Sequence, residues 1–319
     1  MCSLGYVWGL KMDKIFYNES SAAKLGWEPS WFECEHFDDD LITSVKKWQR
    51  KNGVTADGLV GPMTFRRIWT ERESNISQFS PVEIMEDTCS RDNYIVHNGR
   101  FMPIDWHKVV LWDQENGLKC KPGTYYDYSG REDRNPNHFV NHWDVCLSTK
   151  SMAKVVNQRG ISIHFGIDSD GTIYQLLDTQ HGAWHAGHWY GNKRGIGVEI
   201  CNAYSMKYQG WYEKNVGKPR PVVAKGEAVV HGKGLKEHLG FYPEQIEALK
   251  ALYKALHLGL GIPLEAPRDS DGYPILTVDP KVTSGNFEGF NHHYHYTKNK
   301  IDCAGLNIWD LLEEVQQEL

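Results

Sequence analysis

Residues able to hold a metal or move a proton crowd one stretch, "FNHHYHYTKNKIDCAGLN", residues 290–307. It contains His292, His293, His295, Lys298, Lys300, Asp302 and Cys303. Imidazole, carboxylate and thiolate are the ligand types zinc takes, and a lysine ammonium can neutralise a developing oxyanion. A second group, His181, His185 and His188, sits among Trp184, Trp189 and Tyr190 in "HGAWHAGHWYGN". Its spacings in a Gly-rich loop are weak evidence for a metal. His97, His138, His142 and His164 lie in apolar, strand-like runs, where a packed imidazole is the ordinary occupant. With 15 histidines in the chain, chance clusters are expected. The elements that position these side chains must therefore decide which of them act.

In "ISIHFGIDSDGTIYQ", Ile161, Ile163, Phe165 and Ile167 alternate with Ser162, His164 and Gly166. That period of two predicts a strand, with a hairpin turn at Asp170-Gly171 and a return strand through Ile173. "HFVNHWDV" reads as a strand ending with His142, and "SMAKVVNQRG" as a short helix stopped by Gly160. In "GIGVEI", Ile196, Val198 and Ile200 share one face, and Gly197 and Glu199 the other. A long helix follows, with Pro243 near its start and Ile246, Leu249, Tyr253 and Leu256 as its apolar stripe. "NIWDLLEEVQQEL" closes the chain as a last helix. Strands interleaved with helices predict an α/β domain with a central mixed β-sheet flanked by helices. If "HHYHY" is extended, His292 and Tyr294 share one face while His293 and His295 share the other.

The N-terminal region reads differently. From Asp38, Leu41, Val45 and Trp48 form one helical stripe, and Gly53 is a plausible stop. Gly61-Pro62 opens another short helix through Ile68. The expected organisation is a small three-helix domain at 1–72, a polar linker at 73–92 with a short helix around Pro81 to Glu86, and the α/β domain at 93–319.

The net charge of −6, with both signs mixed, argues against nucleic-acid binding. Seven cysteines, an odd number without a CxxC pair, fit a reducing compartment rather than a disulfide framework. No signal peptide is apparent at the N-terminus, and no apolar run is long enough to insert in a membrane. A soluble monomer made in the cytoplasm is expected.

Two resemblances sharpen this reading. "WQRKNGVTADGLVGPMT" resembles the peptidoglycan-binding domain of cell-wall hydrolases, with Asp57, Gly58, Gly61, Pro62 and Thr64 on its DGxxGPxT hallmark. The order from "HFVNHWDV" through "WHAG" and "IGVEI" to "KIDCAG" resembles the zinc-dependent N-acetylmuramoyl-L-alanine amidases of type 2. That family includes phage lysozymes, wall-recycling amidases and peptidoglycan recognition proteins. The likeness spans roughly residues 135 to 315. It implies Zn2+ held by His142, His292 and Asp302, with Asp302 two residues after Lys300. Cys303 and Ala304 replace the family's usual Pro-Gly, so Cys303 is an alternative third ligand. His97 and His138 are the rivals of His142. Glu199 matches the glutamate of the recycling-amidase branch, whereas Ile163 stands where phage lysozymes carry a catalytic tyrosine. The resemblance thus implies Glu199 and Lys300 as catalytic residues. Trp184, His185 and Asn192 are expected to line or support the substrate groove, and His164 to be packed.

Together these imply a phage-type endolysin. It would cleave the amide between N-acetylmuramic acid and L-alanine of bacterial peptidoglycan, staying in the host cytoplasm until released to the wall. A non-catalytic recognition protein and a muropeptide-recycling amidase are the alternatives. Residues 93–135 carry no assignment. The long loop at 265–290 reads as a lid, a specificity element or an ornament.

Overall fold

The computed structural model describes residues 13–75, 93–131 and 134–319. The expected linker helix around Pro81 lies outside them. The chain divides into two compact units, one reaching to Trp69 and the other starting at Thr70.

The first unit is helical: α1 (Lys14–Leu25), α2 (Asp39–Lys51) and α3 (Pro62–Ser74). The Asp13 carboxylate accepts the Ile15 and Phe16 amides at the start of α1, and Gly26 ends that helix in the left-handed region. Asp38 caps α2 through the Leu41 amide, and Pro62 opens α3. Leu41 and Val45 are buried with Trp27, Phe32, Val60 and Phe65. Trp48, expected in the same stripe, is only half-buried, and the buried residue of that turn is Gln49. The Gln49 amide nitrogen donates to Asp57 Oδ1, the Leu59 carbonyl and Thr64 Oγ1, and its oxygen accepts the Gly58 amide. The DGxxGPxT hallmark is thus a turn folded around one glutamine. α3 runs to Ser74, beyond the Ile68 end expected from sequence.

The second unit is built on a six-stranded sheet: β1 (Val109–Leu111), β2 (His138–Trp143), β3 (Phe165–Ile167), β4 (Ile173–Gln175), β5 (Gly195–Ile200) and β6 (Gly289–His292). The spatial order is β6-β2-β5-β3-β4-β1. All neighbours are parallel except β3 and β4, which form the expected hairpin, so the sheet is mixed. β3 begins at Phe165 rather than Ile161. Ser162 is used elsewhere: its hydroxyl donates to the Thr124 carbonyl and accepts the Trp184 amide.

Four helices matter for the site: α4 (Thr149–Arg159), α5 (Trp189–Arg194), α6 (Pro243–Leu260) and α7 (Ile308–Gln317). One face of the sheet carries the core. Phe139, Ile196, Val198, Ile200 and Phe290 pack there with Leu249, Leu252, Tyr253 and Leu256 of α6 and Leu312 and Val315 of α7. The opposite face takes the alternate residues, His138, Val140 and His142 on β2 and Gly195, Gly197 and Glu199 on β5. There α4 comes so close that a Cβ on Gly166 would meet Thr149 Cγ2 at 2.4 Å. Among the described residues, no helix is long and apolar enough to cross a membrane.

Candidate metal centre

Strand register builds the site. His142 on β2 stands directly opposite Glu199 on β5, so both side chains leave the sheet on the face away from the core. On the other side of β2, His292 is paired with Asn141. Asn141 belongs to the core face, where its Oδ1 accepts the Tyr253 hydroxyl at 2.7 Å. His292 shares that parity. Its Nε2–H donates to the Leu306 carbonyl at 3.1 Å, and its ring lies 6.1 Å from that of Trp309. The next residue, His293, faces the same way as His142.

The group the structure brings together differs from the expected ligand set at one position. His142, His293 and Asp302 place a ligand atom each within 4.8 Å of one another, and His292 is not among them. Counting back ten from Asp302 misses by one residue, and in a strand one residue reverses the face. The extended "HHYHY" also does not hold: β6 ends at His292, and His293–His295 form a 3-10 turn.

The three atoms form a small triangle. His142 Nδ1 lies 2.9 Å from His293 Nδ1 and 3.2 Å from Asp302 Oδ2, and the third side is 3.0 Å. Ligand atoms bound at about 2.0–2.1 Å in a tetrahedron stand about 3.3 Å apart, so the spacing suits zinc. Proton placement agrees. A backbone carbonyl only accepts, so the contact from His293 Nε2 to the Ala186 carbonyl at 3.1 Å puts the proton on Nε2. With Nε2 so engaged, Nδ1 is the nitrogen that His293 would offer to a metal. His142 Nε2 lies 2.9 Å from His185 Nδ1, a contact in which either ring can donate.

Electrostatics favour the ligand protonation states. Burial, with the neighbouring His293 ring, pushes His142 down to about 4, which keeps it neutral. Burial opposes charge on Asp302. The His293 and His142 rings and the Lys300 charge outweigh it and hold the carboxyl well below the usual range. Metal ligation needs neutral imidazole and ionised carboxylate.

The other candidates sort by contact. Cys303 is fully buried in the core, and burial pushes its thiol well above the usual value, so Asp302 rather than Cys303 joins the triangle. His138 bonds its neighbour Asn137, and His97 lies on a separate hairpin against Thr179. His164 uses both ring nitrogens, donating to the His181 carbonyl and accepting the Gly197 amide. Lys300 is half-buried, two residues before Asp302, and its carbonyl accepts from His231 Nε2. Trp184 packs edge-on to Tyr126, with ring centres 5.6 Å apart. His185 contacts the His142 ring, and the Asn192 side chain binds the His185–Ala186 backbone. The 265–290 loop instead borders a cavity of about 720 Å³ with Trp309 and Leu312, and no residue of the triangle lines it.

The family model for N-acetylmuramoyl-L-alanine amidase matches residues 132–302, more than half of the chain and the whole of the triangle. The chain belongs to this family. Within the amidase domain, the match begins just before β2 and ends on Asp302. No curated protein sequence matches the chain. Among solved structures, this amidase is similar to a selenomethionine derivative of AmpD, at 17% identity over 63% of this chain and 96% of that one, with a TM-score of 0.34. It is similar to a mutant endolysin from Bacillus subtilis at 16% identity, over 66% and 97%, with a TM-score of 0.33. It is similar to the N-acetylmuramoyl-L-alanine amidase LysC from Clostridium intestinale at 18% identity, over 66% and 96%, with a TM-score of 0.35.

Proposed function

We propose that this family member is a zinc-dependent peptidoglycan hydrolase of the endolysin type. Its bond is the amide between the lactyl group of N-acetylmuramic acid and L-alanine of the stem peptide. The observation that carries the reading is the triangle of His142 Nδ1, His293 Nδ1 and Asp302 Oδ2, three atoms of metal-ligand type gathered in one place. Two imidazoles and one carboxylate fit the three-protein-ligand pattern of catalytic zinc. Bound there, zinc acidifies water and polarises an amide carbonyl.

The remaining chemistry belongs to the chain. Glu199 pairs with His142 across the sheet, which supports a role for it in taking a proton from water and passing it to the leaving amine. Lys300 brings positive charge beside Asp302 and suits the oxyanion of the addition step. The helical N-terminal unit, with its DGxxGPxT turn, supports a wall tether that raises the local concentration of the enzyme. Accumulation in the host cytoplasm until release to the wall completes the reading.

The test is purified protein on intact peptidoglycan, with and without a chelator. New alanine N-termini that vanish on chelation and return with zinc are expected. Reducing sugars without new amino groups would point to a glycosidase instead. Faster turnover of soluble muropeptides than of intact walls would favour a recycling enzyme.

A further inference from the structure

Both histidines of the triangle lean on adjacent residues of one loop. His142 Nε2 meets His185 Nδ1 at 2.9 Å, and His293 Nε2 donates to the Ala186 carbonyl at 3.1 Å. This loop lies between the two-residue strand Gly182–Ala183 and α5, so no ladder or helical bond fixes it at 185–186. One side-chain atom does. Asn192 Oδ1 accepts the His185 amide at 3.0 Å and the Ala186 amide at 2.8 Å. Asn192 is itself held in α5, its amide donating to the His188 carbonyl at 2.9 Å. Below the loop, a Cβ on Gly197 would lie 2.7 Å from both Cε1 and Nδ1 of His185, so the β5 glycine leaves room for the ring.

We infer that Asn192 is a positioning residue for the metal centre: by fixing the His185–Ala186 backbone it orients both ligand imidazoles. This rests on the zinc reading above. The side-chain oxygen is spent on backbone amides, so the support it gives is to the loop behind the ligands. Outer partners of metal-bound histidines commonly govern affinity by about 10–100-fold. Here a single side chain reaches two ligands.

The experiment measures zinc affinity by competition with a chromophoric chelator on the full chain, for wild type, Asn192→Ala and Asn192→Asp. The alanine variant is expected to bind zinc about 10–100-fold more weakly. Aspartate keeps an acceptor oxygen at the same reach and is expected to restore most of the affinity. A residue that merely steadies the loop would lower the melting temperature of the metal-free protein and leave zinc affinity unchanged. A folded Asn192→Ala protein with wild-type affinity overturns the inference. Should that variant not fold, Asn192→Ser, whose shorter arm cannot span both amides, must still bind zinc more weakly than wild type. A wild-type protein that takes up no zinc removes the metal reading itself, a result distinct from equal affinities.

Discussion

Two buried polar knots in this molecule look alike in composition and differ in kind. In the N-terminal unit Gln49 is 1% exposed, and both ends of its amide are satisfied by the Asp57–Thr64 turn. In the amidase unit His142, His293 and Asp302 are 1%, 3% and 8% exposed, and their inner atoms lie within hydrogen-bond distance of one another. Donors and acceptors alternate in the first knot. In the second, two imidazole nitrogens and a carboxylate oxygen converge, with too few protons to serve every contact. A complete donor–acceptor set asks for nothing further, whereas the second knot is the arrangement a metal ion would complete.

Substitutions can break the comparison from either side. The largest effect is expected at Glu199. Glu199→Gln keeps the zinc and lowers peptidoglycan cleavage by about 10²–10⁴-fold. Single-turnover release of alanine N-termini measures it, and an active variant removes Glu199 from the mechanism.

Acid should loosen the amidase unit next. Burial pushes His138 down to about 3 and both His142 and His295 to about 4, whereas the unfolded chain binds those protons near 6.5. Below that pH the unfolded state holds more protons, so stability is full above about 6.5 and falls as pH drops toward these values. The pair Asp144 and Asp168, both pushed up mainly by burial and Asp168 to about 6, works in the opposite sense over part of the range. The histidines outnumber it, so the melting temperature of metal-free protein is expected to fall between pH 7 and pH 5. A melting temperature that holds or rises would contradict the assignment of neutral buried histidines.

The smallest effect belongs to the structural knot. Gln49→Leu leaves the Gly58 amide and its neighbours without their partner, at a cost of about 1–3 kcal/mol for each group left unsatisfied. Hydrogen exchange at Gly58 should accelerate while zinc content stays unchanged. A loss of zinc in that variant would erase the distinction between the two knots.

Much of this architecture was legible in the sequence. The alternation of Ile196, Val198 and Ile200 set β5 and hence the face of Glu199, and Pro243 with its apolar stripe set α6. Asp170-Gly171 marked the hairpin, with Gly171 at φ 82°. The three-residue strand β1 was not legible, because it is too short to show a period. α1 was missed because its buried residues, Asn18, Ala22 and Leu25, form no strongly apolar stripe. In the candidate group, His142 and Asp302 are residues the sequence also singled out, whereas His293 was hidden by its neighbour. Only pairing with β2 fixes which of two consecutive histidines faces the site, and that register is a property of the folded sheet. The partners of the Asn192 side-chain oxygen are backbone amides, which no residue type announces.

The most direct test of the account is the zinc content of two neighbouring variants, His292→Gln and His293→Gln, beside wild type. Glutamine keeps a donor for the Leu306 carbonyl at 292 and removes the imidazole ligand at 293. The expected result is zinc in wild type and His292→Gln after dialysis, and its loss in His293→Gln. Zinc retained by His293→Gln and lost from a folded His292→Gln would contradict the site described here.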